Sequence, residues 1–450
     1  MDFVSFLPQF GSLFFTLLAF ILALSVIVAV HEYGHYIVGR WTGIKADVFS
    51  IGFGPVLFSR HDRHGTRWQV ALLPFGGYVK FKGDENAASA NTSDGTTTMS
   101  PEERRQTMQG APLWARTATV AAGPIFNFIL SIIVFAGIGM SQGQWAEPLT
   151  IDKVRPLPVE GITLQPGDEV LEIEGVAVPA FEAAEGGAFG DFVADLPLEP
   201  LLEYTVLRDG REARVMGPHP QPPLARSLAP QSAASSSPMR AGDVILSLGG
   251  TEVVAFSQLV DIVEGSEGRP LETVVWRGGE VLSFDLTPRS TDEPQPDGGY
   301  KTVYRIGIAS GFAFEAQTEA VGPLDAVIAG VAMTWNVITS SLSGLYHMIT
   351  GAISSCNMSG PIGIAQVSGD MASQGAESFI RFIAVLSTAV GLLNLFPIPI
   401  LDGGHLVFYA YEAVFRKPPS ELALRILMTV GLAFILTVML FAVFNDIFCP

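Results

Sequence analysis

Residues 25–38 read SVIVAVHEYGHYIV, in which an uncharged apolar run leads directly into two histidines four positions apart. On an α-helix, positions i and i+4 lie on one face, so His31 and His35 can reach one metal ion while Glu32 stands beside it. This HExxH spacing favours zinc, which activates a water molecule whose proton a carboxylate can accept. The stretch therefore predicts a zinc centre carried by a membrane helix.

The alternative is that these are two solvated histidines at the end of a helix. Ionisable side chains at membrane depth are costly, however, and their presence there is a functional hypothesis by default. We therefore prefer the metal site.

The composition is that of a membrane protein. Of 450 residues, 48% are hydrophobic and only 16% are charged, against roughly 25% charged residues in soluble domains. The mean hydropathy is +0.38. A formal net charge of −18 would repel nucleic-acid phosphates, which argues against nucleic acid as a partner. Two cysteines, Cys356 and Cys449, are too few for a disulfide framework or a cysteine-rich zinc module, and the sequence assigns them no role.

Uncharged stretches predict four membrane-spanning helices, because about 20 apolar residues are needed to cross the hydrocarbon core. They lie within residues 3–30, 117–140, 382–401 and 426–445. A further uncharged tract, residues 326–369, mixes apolar residues at helical spacing with Ser, Thr and Asn. Such a helix is more typical of the membrane interface, although a fifth span stays open as the alternative.

Lysine and arginine predict the orientation, since short positively charged loops stay in the cytoplasm. Residues 36–116 carry ten basic and seven acidic side chains, and the connector between spans three and four is also basic. Residues 144–322 carry 12 basic and 28 acidic side chains. The acidic block and both termini are therefore predicted to lie outside the cytoplasm.

The acidic block contains a repeat. LQPGDEVLEIEG at residues 164–175 and MRAGDVILSLGG at residues 239–250 align with a shift of 75 positions. Each copy has a Gly-Asp turn, an alternating apolar strand and a glycine, followed by further short strands. This resembles the PDZ domain, whose groove takes an extended peptide by strand addition. An unrelated small β repeat remains the alternative, and Pro-rich stretches at residues 217–223 and 291–299 are interpreted as linkers.

A catalytic zinc usually has three protein ligands and one open position. Asp402 is the preferred third ligand, because it closes the third span, where a carboxylate otherwise has no partner. With four spans, Asp402 reaches the same side as His31 and His35, whereas a fifth span would displace it by about 30 Å. His405 is the competing candidate. The other histidines are interpreted as surface, linker or interfacial residues, namely His61, His64, His219 and His347.

HEYGH at the end of the first span, Gly123-Pro-Ile-Phe-Asn127 in the second, the PDZ-like pair and residues 394–402 together resemble the bacterial site-2 protease family, and within it the regulator of sigma-E protease branch. The resemblance implies zinc bound by His31, His35 and Asp402. It also implies two catalytic residues, with Glu32 as the base and Asn394 helping to hold the substrate or its oxyanion.

The resemblance also implies a substrate class and a location. The enzyme is expected to cleave membrane-spanning segments of single-span proteins already trimmed by another protease, such as anti-sigma factors, and signal-peptide remnants. Peptide ends are expected in the PDZ-like grooves. A re-entrant β-like loop within residues 36–82 is expected to pair with the substrate through Phe75, Gly76, Gly77 and Tyr78. The alternative for this segment is a soluble hairpin under the membrane. The protein is placed in the bacterial inner membrane, with both termini and the PDZ-like domains in the periplasm.

The predicted fold class is an α-helical membrane protein with four transmembrane helices, a re-entrant β-like loop, and two PDZ-like α+β domains between spans two and three. The predicted segments are the first helix (1–40), the cytoplasmic-side loop (41–116), the second helix (117–140), PDZ-like domains at 141–218 and 219–290, a linker with an interfacial helix (291–375), the third helix (376–405), and the connector with the fourth helix (406–450). Residues 85–100 are interpreted as a flexible insertion.

Two other functions remain open from sequence alone. The chain could be a membrane-anchored PDZ scaffold whose zinc site is structural, or a zinc protease that cuts soluble or juxtamembrane loops. Glu32 separates the first alternative from proteolysis, and the position of the cut separates the second.

Overall fold

The computed structural model of the chain describes residues 7–84, 99–179, 187–295 and 299–449, with side chains from residue 13 onward. The predicted flexible insertion lies outside them except for its last two residues. The chain forms two compact units. The membrane-type unit comprises residues up to Ile138, Leu324–Gly351 and the residues from Ser355 onward, and the repeat unit comprises Gly139–Pro323 with Ala352–Ser354.

Within the described residues the α-helices are α1 Leu7–Trp41, α2 Pro101–Arg105, α3 Leu113–Gln142, α4 Gly187–Ala194, α5 Phe256–Gly265, α6 Pro323–Thr350, α7 Pro361–Ser373, α8 Ala376–Asn394, α9 Asp402–Phe415 and α10 Glu421–Phe448. The strands are β1 Ala46–His61, β2 Arg67–Phe81, β3 Gln144–Trp145, β4 Ile151–Val154, β5 Glu169–Ile173, β6 Val176–Ala177, β7 Leu201–Arg208, β8 Arg211–Pro218, β9 Ala225–Leu228, β10 Val244–Leu248, β11 Thr251–Glu252, β12 Leu271–Arg277, β13 Glu280–Leu286, β14 Arg289–Pro294, β15 Tyr300–Arg305, β16 Ile308–Ser310, β17 Phe314–Ala316 and β18 Thr318–Glu319.

Five of the described helices, α1, α3, α6, α8 and α10, are long and apolar enough to cross a membrane. The protein is thus of the integral membrane type, as predicted. Length and composition do not decide between four and five spans, because α6 also qualifies.

Helices α3 and α8 pack antiparallel through small polar side chains. Ser131 donates to the Ala384 carbonyl at 2.8 Å, and Ser387 donates to the Asn127 carbonyl at 2.9 Å. A Cβ on Gly391 would lie 3.1 Å from the Asn127 side chain. Small residues and hydroxyls let helix backbones approach closely where the surroundings offer no hydrophobic driving force. This contact places the C-terminal end of α8 beside the middle of α3.

Strands β1 and β2 form an irregular, folded-back hairpin beside α1. Ile51 pairs with Gly77 on one side and with Val70 on the other, so the first half of β1 is the central segment. Tyr36, Phe49 and Val79 are buried in the hydrophobic core that joins the hairpin to α1. Towards the far end, large apolar side chains are exposed, namely Phe53, Val56, Leu57, Phe58, Leu72 and Leu73.

Cys356 and Cys449 form a disulfide bond, a pairing that was not predicted from their positions in the chain. It joins the segment before α7 to the end of α10. Beside it, the Asn445 side chain donates to the Ser355 carbonyl at 2.7 Å. Asp446 accepts hydrogen bonds from the backbone of Gly360, Ile362 and Gly363 at the start of α7. The turn Ser359–Gly363 is therefore fixed by the last turn of α10.

The repeat unit contains two four-stranded antiparallel sheets with matching strand orders, β6-β5-β7-β8 and β11-β10-β12-β13. In each copy a helix follows the second strand of the chain order, α4 in the first and α5 in the second. The repeated Gly-Asp turns thus lead into equivalent strands, β5 and β10.

The aspartate of each Gly-Asp turn holds its copy together. Asp168 accepts two hydrogen bonds from Arg208, at 2.6 and 2.7 Å, and Asp243 accepts two from Arg277 at the same distances. Asp168 is only 1% exposed. Burial acts to raise its pKa, but hydrogen bonds from Arg208 and the Gln165 backbone lower the pKa below its usual value. The presence of this charge pair in both copies explains why both repeat the Gly-Asp sequence.

In the two stretches predicted as linkers, several of the described residues are paired or buried. The stretch at residues 291–299 begins within β14, which pairs with β15, and Arg305 binds Glu293 across this pair at 2.7 Å. In the stretch at residues 217–223, His219 is buried, with 3% of its surface exposed. Proline content suggested linkers here because it disfavours regular interior structure, but it does not prevent edge strands or close packing.

Candidate metal centre

His31 and His35 face each other across one turn of α1. Their Nε2 atoms are 3.2 Å apart, and the two rings are nearly perpendicular, with centroids 4.8 Å apart. The HExxH spacing produces this arrangement directly, because a single helix carries both rings on one face. Both Nε2 atoms point into the same small space.

The other ring nitrogen of each histidine is held by α3. His35 Nδ1 lies 2.9 Å from the Thr119 carbonyl, so it carries a proton and donates it. This leaves a lone pair on Nε2. His31 Nδ1 lies 3.2 Å from the amide of Asn127, whose side-chain oxygen is buried without a hydrogen-bond partner among the described atoms. Because rotation exchanges the two amide atoms, that oxygen can accept the Nδ1 proton of His31. Such outer contacts fix the tautomer and orientation of metal-binding imidazoles.

Asp402 completes the group. It is the first residue of α9, and its Oδ2 atom lies 3.1 Å from His31 Nε2 and 3.4 Å from His35 Nε2. The two glycines after it permit the tight turn, since a Cβ on Gly403 or Gly404 would lie 2.3 Å from a backbone oxygen. The three ligand atoms all lie within 4.8 Å of one another.

The donor set fits a zinc ion. Two imidazole nitrogens and one carboxylate oxygen are common zinc ligands, and three of them leave a position open for chemistry. Asp402 Oδ2 is buried and has no hydrogen-bond partner of good geometry among the described atoms. Three electron-rich atoms held this close repel one another unless a cation lies between them. His31, His35 and Asp402 could therefore hold the metal.

Gly123 makes room for both rings. A Cβ at this position in α3 would lie 2.4 Å from His35 Nε2 and 2.8 Å from His31 Cε1. Both distances are shorter than real Cβ contacts, so this position accepts glycine alone without moving a ring. The glycine of the Gly-Pro-Ile-Phe-Asn stretch is thereby explained, and so is its asparagine.

Glu32 lies between the metal group and the hairpin. Its carboxylate lies near the backbone of Val79 in β2. A Cβ on Gly77 would lie 3.3 Å from Glu32 Cγ and 2.8 Å from the Ser50 carbonyl. The structure therefore brings Gly77, predicted to bind substrate, against the predicted base.

The other predicted substrate residues lie in the same part of β2. Gly76 has a positive φ of 137°, which favours glycine. The Tyr78 ring stacks on Phe53 with centroids 5.9 Å apart, and its hydroxyl accepts from Gln69. The side chain of Phe75 lies outside the described residues.

Asn394 and His405 lie outside the group of three. Asn394 ends α8, and its amide nitrogen donates to the Val390 carbonyl of its own helix at 3.0 Å. His405 lies one turn into α9 and packs its ring against Phe408, with centroids 6.0 Å apart. Among the described residues, the group that could hold a metal ion consists of His31, His35 and Asp402 without His405.

Sequence reasoning missed Thr119, Gly123 and Asn127 as supports of the two rings. The Gly-Pro-Ile-Phe-Asn stretch was noted, but spacing within one helix does not show which side chains of a second helix face it. The signal available was a small residue and an amide one turn apart in a second apolar helix.

Comparison with known proteins agrees with this geometry. Residues 19–438 match the family described as peptidase family M50. A protein of Agrobacterium fabrum named as a zinc metalloprotease is 36% identical over 434 residues, covering 95% of this chain and 94% of its own length. The regulator of sigma-E protease RseP of Salmonella typhimurium is 32% identical over 457 residues, covering 97% of this chain and 99% of its own.

Proposed function

The chain belongs to peptidase family M50 and is a zinc metalloprotease, and on that premise we propose that it cleaves membrane-spanning segments of other membrane proteins. The predicted resemblance to the site-2 protease family is confirmed. One observation carries the proposal. His31, Glu32 and His35 lie within a helix that is long and apolar enough to span a membrane, so the metal group is built among such helices.

The proposed roles follow from position. We assign His31, His35 and Asp402 to the metal. When bound, zinc supplies a Lewis acid that polarises the scissile carbonyl and activates a water molecule. Glu32 accepts the proton of that water and passes it to the departing amide nitrogen as the C–N bond breaks. One carboxylate and one amine are thus formed for each water consumed.

The hairpin supplies a means of holding an extended substrate. A helical peptide bond is protected because its carbonyl is bonded to the amide four residues on, so one turn must open before attack. Opening a turn in hydrocarbon leaves backbone polar groups unpaired, and each unpaired group costs on the order of several kcal/mol. We assign Gly76, Gly77 and Tyr78, with Phe75, to pairing with the opened strand. The position of Gly77 against Glu32 supports this assignment. Asn394, the last residue of α8, is proposed to hold the exposed backbone of the substrate.

The apolar end of the hairpin supports a re-entrant position in the membrane. Phe53, Leu57 and Phe58 are exposed to solvent or lipid, and an exposed apolar patch usually marks a covered surface. Non-helical backbone is tolerated at membrane depth where it packs on protein or lines a water-filled cavity. The buried core between α1 and the hairpin meets that condition.

A four-span topology is part of the proposal. Near its start, α6 packs on the outer part of α3, where a Cβ on Gly330 would lie 2.6 Å from the Ile132 carbonyl. Just beyond its end, Ser355 and Cys356 are bound to the last turn of α10. In a four-span arrangement α3 and α10 run in the same direction, which places both ends of α6 on the same side of the membrane. We therefore place α6 along the interface and count α1, α3, α8 and α10 as spans.

We place this side in the periplasm of a bacterial inner-membrane protein. A persistent disulfide is typical of oxidising compartments, and Cys356–Cys449 lies on the side of both chain termini and of the acidic repeat block in this topology. The two repeats are proposed to be PDZ-like domains that hold peptide ends. The substrates are proposed to be single-span proteins, such as anti-sigma factors, after a first cleavage outside the membrane, together with signal-peptide remnants.

Replacing Glu32 by glutamine tests the catalytic assignment. Glu32→Gln is expected to abolish cleavage of a trimmed single-span substrate while zinc stays bound, because the amide removes the base and leaves all three ligands. Glu421→Gln, at an exposed position in the first turn of α10, is the matched control and is expected to keep full activity. Zinc content by metal analysis and cleavage by immunoblot decide the outcome. Normal cleavage by Glu32→Gln would show that Glu32 is not the base. If neither Glu32→Gln nor the control Glu421→Gln cleaves the substrate, the scaffold alternative is favoured.

A further inference from the structure

A pocket lies between the two repeats of the repeat unit, where the first copy ends and the second begins. Its volume is about 140 Å³. The first copy contributes Leu157, Pro158 and Val159, and the second contributes the β10 segment Val244–Leu246 and Val253. The floor is buried, since Val244 and Val253 are at most 7% exposed, while Pro158 at the rim is exposed.

His219 is the polar side chain in this pocket, and the other residues that line it are apolar. It is 3% exposed. Its Nδ1 atom accepts a hydrogen bond from the Gln221 backbone at 3.2 Å, so in the neutral ring the proton is on Nε2. His219 Nε2 is buried without a partner among the described atoms. A buried donor without an acceptor is costly, so His219 Nε2 marks a place where an acceptor binds.

The pocket is preformed, because its linker is held by backbone hydrogen bonds on three sides. The Pro220 carbonyl accepts from Ala313, the Gln221 carbonyl from Phe256, and the Pro223 carbonyl from Ile245, at 2.8–3.0 Å. Proline fixes φ and loses little further freedom on binding. A ligand can therefore enter without first ordering the walls.

The size of the pocket and the charge of its surroundings limit which ligands it can bind. A dry apolar cavity of about 150 Å³ accepts a ring the size of benzene, and one water needs only about 10–15 Å³ by the same measure. The pocket is therefore larger than a single water requires and has room for one side chain. The surrounding block is strongly acidic, with 28 acidic against 12 basic residues in 144–322, which disfavours a carboxylate. The favoured acceptor is a neutral carbonyl next to an aliphatic group.

The geometry points to a binding site for an uncharged, aliphatic stretch of extended polypeptide, with one side chain in the pocket and its main-chain carbonyl accepting from His219 Nε2. The inference rests on the proposed function and deepens it, since it names the chemistry of a substrate segment that the repeats hold. It adds a site at the junction of the two copies to the strand-addition groove expected within each copy.

Ligand-observed saturation-transfer NMR on the full chain in nanodiscs tests this site. The protein carries Glu32→Gln, so binding is measured apart from cleavage. The probe is N-acetyl-leucine methylamide, compared with N-acetylglycine methylamide and with N-acetyl-leucinate. The neutral leucine probe is expected to bind best, since it alone combines the side chain with a neutral acceptor.

Two variants locate the binding. His219→Phe keeps the ring and removes the donor, and about a five- to tenfold loss of affinity is expected for one neutral hydrogen bond. Val254→Trp fills the pocket from its rim and is expected to abolish binding while His219 is retained. His347→Phe, in α6, is the matched control and is expected to bind like the parent.

Unchanged binding in both pocket variants, or no binding in the parent, would overturn the inference and leave a bound water as the partner of His219. If His219→Phe fails to fold, Val254→Trp alone decides. Because no cleavage is involved, failure here leaves the Glu32 experiment unaffected.

Discussion

Gly123→Ala should destroy the metal centre while leaving the helix that carries it intact. The added Cβ would lie 2.4 Å from His35 Nε2, 2.6 Å from His35 Cε1 and 2.8 Å from His31 Cε1. The rings have little freedom to retreat, because His35 is bonded to the Thr119 carbonyl at 2.9 Å and His31 contacts Asn127 at 3.2 Å. Both Nε2 atoms must therefore leave their positions relative to Asp402.

The expected loss of zinc affinity is about 100-fold or more. Site geometry must hold to about 0.5 Å, and a Cβ contact of 2.4 Å demands a displacement of that order. Changes to outer partners of a metal site alone cost about 10–100-fold in metal affinity, and this change displaces two ligands directly.

Gly137→Ala in the same helix is the matched control, since nothing lies within 4 Å of its added Cβ. In a helix interior, alanine is favoured over glycine by roughly 0.5–1 kcal/mol, so this variant should be as stable as the parent or slightly more so. Zinc competition against a chelator measures affinity, and thermal unfolding measures the fold. Equal zinc affinity for the two variants would refute the geometry given for the two rings.

Three further outcomes are expected. Arg116 binds Glu412 through two hydrogen bonds in a partly buried contact, so Arg116→Gln leaves Glu412 unpaired and should destabilise the protein by about 3 kcal/mol. The double variant Arg116→Gln/Glu412→Gln should lose less stability than the sum of the two single variants, and additive losses in thermal unfolding would contradict the coupling. Cys356→Ser/Cys449→Ser should lower the unfolding temperature, because up to about 4 kcal/mol of the free energy of unfolding is lost with the disulfide. A reducing agent should lower the unfolding temperature of the parent protein alone, and an equal effect on both proteins would exclude the disulfide. Burial lowers the pKa of His219, so the unfolded chain binds a proton at a higher pH than the folded chain does. As the pH falls below about 6.5, the free energy of unfolding should therefore drop by up to about 1.4 kcal/mol per pH unit. His219→Phe should reduce the pH dependence of the urea-unfolding midpoint between about pH 7.5 and about pH 5.5, and an unchanged slope would contradict a buried neutral ring.

The metal group was within reach of sequence reasoning because its geometry is local or topological. His31 and His35 share a face through helix periodicity alone. Asp402 was predicted by counting four spans, since the third of four ends on the side where the first ends. The choice of Asp402 over His405 agrees with the group seen among the described residues.

Contacts between distant segments could not be predicted from the sequence. Asn127 touches His31 from 96 positions away, and Cys356 bonds Cys449 from 93 positions away. Periodicity and composition describe one segment at a time, so they do not show which faces meet. The same limit explains His219, whose proline-rich surroundings suggested an exposed linker but pack into a buried junction.

Helix α6 shows where composition is ambiguous in principle. Its length and apolarity qualify it as a span, yet its mixture of hydroxyl and apolar side chains also suits an interface. What separates the two is where its ends are held, and that depends on contacts made by Gly330 and Ser355 with other helices.

Mapping the cut bond tests the central claim most directly. A tagged single-span membrane protein, with its extracytoplasmic domain removed beforehand, is incubated with the active enzyme and with Glu32→Gln, and the new termini are sequenced by mass spectrometry. Intramembrane zinc proteolysis predicts new termini inside the apolar segment with the active enzyme and none with Glu32→Gln. Termini confined to soluble or juxtamembrane loops, or termini inside the segment that persist with Glu32→Gln, would contradict it.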